Sequence, residues 1–263
     1  MIMEGHMLSL GYGNREVIHG VNISIPEGKT VGIIGPNGCG KSTLLKAFAG
    51  CLKPSGGIIK YDGIDIRSIN PKNLAKKIAY IPQMLDIKID IPVQQLISYG
   101  RYPYGNWMGR LSKKDRDIID WAAKSTGIKD MLDRPISSLS GGERQRAYIA
   151  MAIAKEPQVI ILDEPTTFLD ICYQLEILEL LKKLNTTFHN AVVVVLHDIN
   201  QAMRYCDIIY VVNDGNIFDF GPPARVIDEC MLRRVFGIEA YVCRNDQYEF
   251  PYIIPNGFKK GDS

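Results

Sequence analysis

A chain of 263 residues is long enough to bury one large core, or a core carrying a subdomain. Its 31 Lys and Arg nearly balance 29 Asp and Glu, and it has no long basic tract, which argues against nucleic acid as a partner. The longest apolar runs, such as Ala191 to Leu196, fall far short of the roughly 20 residues needed to cross a bilayer, and Met1 to Met7 lacks the basic start and apolar core of a secretory signal, so a soluble, cytoplasmic protein is expected.

Met7 to Leu10 and Val17 to Ile25 alternate in the manner of strands, and Gly56 to Tyr61 continues the pattern up to an Asp62-Gly63 turn. The N-terminal part is therefore expected to be β-rich. Tyr12 falls in the loop after the first strand, where its ring can stack on a purine base; by position alone, packing in the core is a reading at least as strong. Thr30 to Ile34 is an apolar run, and Leu44 to Ala49 favours helix with Gly50 as its C-cap. Between them stands Gly35-Pro36-Asn37-Gly38-Cys39-Gly40-Lys41-Ser42-Thr43.

That order of strand, glycine loop and helix is a phosphate cradle. The glycines let backbone N–H groups of the Asn37 to Thr43 segment turn inward around a polyphosphate, and the helix adds the positive end of its dipole. Lys41 supplies a mobile cation for the outer phosphates, and Ser42 can give its hydroxyl oxygen to Mg2+, which prefers oxygen ligands. The chain is expected to bind a nucleoside triphosphate.

Ile78 to Ile81 reads as a short strand ending in Pro82-Gln83, and Pro92 opens a helix. Tyr99-Gly100-Arg101-Tyr102-Pro103-Tyr104-Gly105-Asn106-Trp107 is aromatic and turn-rich, either packed loop or exposed docking surface. Ser112 and Asp115 have capping-box spacing, and Ile118, Ile119, Ala122 and Ala123 recur at helical intervals beside Trp121. Residues 92–138 are read as an inserted helical subdomain, with 1–91 and 139–263 forming the nucleotide-binding core. Leu139-Ser140-Gly141-Gly142-Glu143-Arg144-Gln145 precedes a helix expected over Arg144 to Ala154, and Ser140, Gly141 and Gly142 make a second anion site at its start. One nucleotide hardly needs two cradles in one subunit, so this site is expected to close on a second copy's nucleotide, head to tail.

Val159 to Leu162 and Ala191 to Leu196 are continuous branched apolar runs, as strands buried on both faces of a parallel sheet should be. Leu175, Leu178, Leu181 and Leu184 place an apolar stripe on the helix between them. Ile208 to Val212 and Ile217 to Phe220 flank a hairpin turn at Asn213-Asp214-Gly215-Asn216. A helical tail, Asp228 to Phe236, leads to strand-like Ala240 to Arg244 and Glu249 to Ile254. The expected class is α/β, with a parallel sheet core covered by helices on both sides.

Asp163 ends one buried run, where a carboxylate can hold magnesium at the carboxyl edge of the sheet. Glu164 follows and can orient or deprotonate an attacking water. His197 ends the next run at the same edge; a lone histidine is most often structural, but here it can donate to the γ-phosphate or the water. The six cysteines (Cys39, Cys51, Cys172, Cys206, Cys230, Cys243) lack Cys-x-x-Cys spacing and read as free thiols.

Taken together, these residues resemble the ATP-binding-cassette family of P-loop ATPases over about Met7 to Phe220. Gly35 to Thr43 is similar to its Walker A, Gln83 to its Q-loop, Leu139 to Gln145 to its signature motif, and Val159 to Glu164 to its Walker B with catalytic glutamate. Thr167-Phe168-Leu169-Asp170 resembles the D-loop, although that loop often begins with serine, and His197 resembles the switch histidine. Tyr12 falls at the base-stacking position. The Thr-Phe-Leu-Asp form, the residues Ile171 to Glu176, the Tyr99 to Tyr104 stretch and the tail around Arg233 to Gly237 are similar to the iron-siderophore, haem and cobalamin importers. The resemblance implies two copies sandwiching two ATP molecules, with Ser42, Gln83 and Asp163 around Mg2+, and Ser140, Gly142 and Asp170 at the dimer interface. It also implies transmembrane permease partners at the cytoplasmic face of a membrane and, indirectly, a substrate-binding protein. A soluble cassette ATPase that remodels a protein or iron–sulfur assembly complex is the competing reading; a P-loop kinase leaves the signature motif unexplained.

Overall fold

The computed structural model describes residues 1–83, 90–104, 111–244 and 250–258. In chain order its elements are β1 (Met3–Tyr12), β2 (Arg15–Ile25), β3 (Thr30–Ile34), α1 (Lys41–Phe48), β4 (Gly56–Tyr61), β5 (Ile64–Asp65), α2 (Pro71–Lys77), β6 (Ile78–Ile81), α3 (Val93–Ser98), α4 (Lys113–Ser125) and α5 (Gly141–Ile153). Then come β7 (Val159–Leu162), α6 (Ile171–Phe188), β8 (Ala191–Val195), α7 (Ile199–Tyr205), β9 (Ile208–Asn213), β10 (Asn216–Gly221), α8 (Pro223–Val226), α9 (Glu229–Met231), β11 (Ile238–Cys243) and β12 (Tyr252–Phe258). No helix among the described residues is long and apolar enough to cross a membrane.

The chain divides into two compact units, Met1–Asp65 with Val193–Ser263, and Ile66–Val192. The boundaries fall just after β5 and inside β8, so residues 92–138 lie within the second unit. In the first unit β2, β1, β4 and β5 form an antiparallel sheet. Beside it β3 runs parallel to β9, and β10 closes antiparallel on β9. Every residue of β3 is buried, which accounts for its lack of polar alternation. Leu44, Leu45 and Phe48 of α1 are all at most 1% exposed, so the helix after the glycine loop is fixed by its apolar face. The hairpin turns occur as the sequence predicts: Asp62 and Gly63, and Asp214 and Gly215, all have positive φ. β11 and β12 pair antiparallel, with Val242 opposite Ile253; Glu249, where the second of these strands was expected to begin, lies outside the described residues.

In the second unit β6 runs parallel to β7. The expected capping box at α4 is present in both directions, Ser112 accepting from the Asp115 N–H and Asp115 from the Ser112 N–H. Two expectations are corrected. α5 begins at Gly141, not Arg144, because Ser140 and Glu143 form a second capping box and start the helix at the glycines. Leu178, Leu181 and Leu184 are buried on α6, but Leu175 is 37% exposed.

Arg101 divides the aromatic segment. Its side chain is buried, donating 2.9 Å from Nε to Asp115 and from Nη1 2.7 Å to the Ala154 carbonyl and 2.9 Å to Glu156, with the Tyr104 ring 3.8 Å from its Cζ. Pro103 packs inward as well, whereas Tyr102 is 84% exposed. The stretch is therefore packed at Arg101 and Pro103 and exposed at Tyr102; Gly105, Asn106 and Trp107 lie outside the described residues. Removing one partner of a buried ion pair strands the other, so Arg101→Met is expected to lower stability by about 3 kcal/mol, read as a fall in the urea midpoint. Burial pushes the Asp115 carboxyl up, but hydrogen bonds from Ser112 and Arg101 and the guanidinium charge together hold it below its ordinary value of 3.8. A depressed native pKa gives stability that is complete above the unfolded value and lost as the pH falls through the native one. This pair should thus weaken in urea titrations below about pH 4, and the difference between parent and Arg101→Met should shrink there.

Candidate active site

The glycine loop expected to cradle phosphates lies in the first unit. Gly35 has φ 154°, and a Cβ there would sit 2.0 Å from the Val212 carbonyl oxygen, so no other residue fits where β3 passes into the loop. Asn37 and Gly38 are exposed, and Cys39, Gly40 and Thr43 are buried. Gly40 stands at the N-cap of α1 and brings no side-chain hydrogen bond to it. The three longest helices, α4, α5 and α6, are by contrast each capped by a side chain, from Ser112, Ser140 and Asp170. An eight-residue helix that opens without a side-chain acceptor leaves its first N–H groups to an outside anion. This arrangement fits a triphosphate.

Lys41 is 5% exposed and folds over the loop, donating to the carbonyls of Gly35 at 2.9 Å and Pro36 at 2.8 Å. Its ammonium is thus held within the cradle by the loop that would receive the phosphates. Burial pushes the Cys39 thiol up despite the nearby Lys41 charge, leaving it a neutral packing group at physiological pH. Tyr12 ends β1 half exposed, with the Lys46 ammonium 5.8 Å from its ring centre. It is not packed in the core, and it is the last residue of β1 instead of part of the loop expected after that strand. His197 is exposed just beyond β8, and the residue before it is anchored by Leu196 N–H to the Ile33 carbonyl at 3.3 Å.

The second unit carries the carboxylates. Asp163 follows β7 directly, is 4% exposed, and is fixed by its N–H to the Ile81 carbonyl at 2.9 Å; the Tyr80 hydroxyl lies 3.4 Å from its Oδ2. Glu164 takes φ 53°, a left-handed conformation costly for a glutamate and common where a side chain must be aimed. Its Oε2 accepts from Gln83 Nε2 at 2.5 Å and Thr167 Oγ1 at 3.2 Å. The structure thus brings Gln83 and Glu164 together across 81 residues of sequence. Thr167 was not among the expected site residues; a hydroxyl three positions after the carboxylate is the signal that could have marked it.

Ser140 Oγ accepts from the Glu143 N–H, and a hydroxyl that accepts keeps its own O–H to donate. Hydrogen bonds from Ser140, the backbone one foremost, hold the Glu143 carboxyl below its ordinary value. Gly141 and Gly142 open α5, and a Cβ at Gly142 would meet the Tyr173 ring at 2.7 Å. Asp170 caps α6 by accepting from the Tyr173 N–H at 3.1 Å, so Tyr173 ties the second glycine site to the loop at Asp170. The six cysteines are free thiols.

An uncapped glycine-loop helix with a buried lysine, and a buried aspartate ending a parallel strand with a glutamate after it, define a P-loop nucleoside-triphosphatase of the α/β class. The model for the family described as "ABC transporter" matches residues 18–167, and the chain belongs to that family, whose ATP-binding subunits are ATPases coupled to transport. It is 42% identical over 253 residues to an achromobactin transport ATP-binding protein of Dickeya dadantii, covering 96% of this chain and 94% of that one. A probable siderophore transport system ATP-binding protein of Bacillus subtilis is 43% identical over 250 residues, covering 95% and 91%. Among solved structures, an inward-facing conformation of a putative metal-chelate type ABC transporter superposes with a TM-score of 0.85 at 26% identity, covering 97% of each chain.

Proposed function

We propose that this chain is the ATP-hydrolysing subunit of an importer for an iron-siderophore or a related metal-chelate ligand, working as a head-to-tail pair at the cytoplasmic face of a membrane. The full-length match to two siderophore-transport ATP-binding proteins carries the substrate class. The Tyr99–Tyr104 and Thr167–Asp170 segments had pointed to the same class.

In this reading Asn37 to Thr43 wrap the phosphates of ATP, and Lys41 exchanges its bonds to the Gly35 and Pro36 carbonyls for bonds to phosphate oxygens. Tyr12 stacks on the base. Glu164, aimed by Gln83 and Thr167, orients the attacking water and takes its proton, and His197 donates toward the γ-phosphate. The Ser42 hydroxyl, the Asp163 carboxylate and the Gln83 carbonyl would hold Mg2+ through oxygen, which that ion prefers, Asp163 being fixed at its strand end. When bound, that ion neutralises charge on the phosphates. Ser140, Gly141 and Gly142 of each copy close on the nucleotide of the other, with Asp170 beside them at the interface, so loss of the γ-phosphate lets the pair open. Permease chains receive that motion, and a substrate-binding protein delivers the ligand.

The test is to express the chain with neighbouring permease-like genes, purify through a tag on this chain, and measure ATP turnover in liposomes with and without a loaded binding protein. Membrane copurification with turnover stimulated by a siderophore-loaded binding protein is the expected result. A soluble partner and no membrane association would replace it with the remodelling-ATPase reading.

A further inference from the structure

α7 has seven residues and begins two positions after His197. A helix this short does not hold itself together in water, so whatever holds α7 also fixes the turn that presents His197. Asp198 supplies part of this, accepting from the Asn200 N–H at 2.8 Å and the Gln201 N–H at 3.1 Å. Ile199, Gln201, Ala202, Met203 and Tyr205 supply burial. A further hold comes from the C-terminal hairpin.

Asn200 spends both ends of its side-chain amide on one residue of β12. Its Oδ1 accepts from the Ile253 N–H at 2.7 Å, and its Nδ2 donates to the Ile253 carbonyl at 3.4 Å. The amide thereby imitates a neighbouring strand for a peptide unit whose residue is 8% exposed and cannot readily turn to water. One turn further along α7, the Arg204 guanidinium lies 5.6 Å from the centre of the Phe250 ring. Both grips join the helix after His197 to the segment that ends in β12.

We propose that Asn200 is a positioning residue for His197 and that the β11–β12 hairpin is the brace it grips, so that the C-terminal segment helps to set the rate of hydrolysis. This rests on the reading that His197 acts at the γ-phosphate. Side-chain misplacement of about 1 Å is enough to cost large factors in rate. A clasp that served only to hold the hairpin down would leave kcat alone.

The experiment uses the full-length chain with Asn200→Ala, Asn200→Asp, His197→Ala and the double variant His197→Ala/Asn200→Ala. Asn200→Ala is expected to lower kcat about tenfold, with the KM for ATP within about twofold of the parent. It should also speed hydrogen exchange in the peptide containing Ile253. Asn200→Asp keeps the acceptor and loses the donor, so its kcat should fall between the two. The double variant should turn over no more slowly than His197→Ala, because Asn200 acts through that ring. The inference is overturned if exchange at Ile253 speeds up while kcat stays within about twofold of the parent, if exchange is unchanged by Asn200→Ala, or if the two losses multiply in the double variant. Undiminished turnover in His197→Ala removes the role of His197 and this inference together. Loss of turnover there, with parental kcat in both Asn200 variants, removes this inference alone.

Discussion

Glu164→Gln is expected to lower ATP turnover by a factor of about 10² to 10⁴, the range a positioned general base supplies, while ATP affinity stays within a few-fold of the parent. The substitution keeps the side chain's length and an oxygen that can still accept from Gln83 and Thr167, so the turn at φ 53° keeps its supports. What it removes is a basic oxygen, and with it the means of drawing a proton from water as the γ-phosphate departs. Because binding is retained and the step that opens the pair is not, the variant should accumulate as an ATP-bound dimer. Phosphate release gives the rate, a fluorescent nucleotide gives the affinity, and gel filtration with ATP gives the dimer. Turnover within about tenfold of the parent would remove Glu164 as the base.

Thr167 gives a second reading of the same site. Its hydroxyl shares Oε2 of Glu164 with the Gln83 amide, so Thr167→Val should reduce kcat more mildly than Glu164→Gln, without moving the KM. An equal loss in kcat and affinity would instead mean that the Glu164–Phe168 turn had collapsed. That turn is bracketed by two left-handed residues, Glu164 and Phe168 at φ 65°, and such strain persists only where surroundings enforce it.

The parts of this protein legible in its sequence are those whose cause is local. β3, β7 and β8 announce themselves as unbroken branched runs because both faces are buried, and Asp163 is found because it ends one of them. Positive φ at Asp62-Gly63 and Asp214-Gly215 follows from the residues themselves. The start of α5 was misplaced because two glycines read as loop; the Ser140-x-x-Glu143 spacing was present and outweighs them once both capping bonds form. The leucine stripe on α6 failed for a geometric reason. Steps of three residues fall short of a full turn, so Leu175 and Leu184 end on opposite sides of the helix, about 180° apart, and the buried set is Ile177, Leu178, Leu181, Leu184 and Asn185. Contacts between distant residues left no local trace: Gln83 to Glu164 spans 81 residues, Arg101 to Glu156 spans 55, and Asn200 to Ile253 spans 53.

Lys41→Ala is expected to act on binding where Glu164→Gln acts on chemistry. A charge-assisted hydrogen bond contributes about 1.5 to 3 kcal/mol, so losing the ammonium should raise the Kd for ATP about 10- to 100-fold. ADP should lose less, since the lysine reaches the outer phosphates. Folding also pays: the carbonyls of Gly35 and Pro36 lose donors at 2.9 and 2.8 Å within a loop whose lysine is 5% exposed. A fall of about 1 to 2 kcal/mol in stability should accompany the loss of affinity. Lys41→Arg separates these effects, because it keeps the charge but replaces a compact ammonium with a planar fork in a cavity already closed by two carbonyls and the Cys39 sulfur 4.0 Å away. If charge alone mattered, arginine would restore ATP affinity; the packing around Nζ predicts that it will not. Titration calorimetry of parent, Lys41→Ala and Lys41→Arg with ATP and with ADP reads all of this, and undiminished ATP affinity in Lys41→Ala would remove the lysine from the cradle.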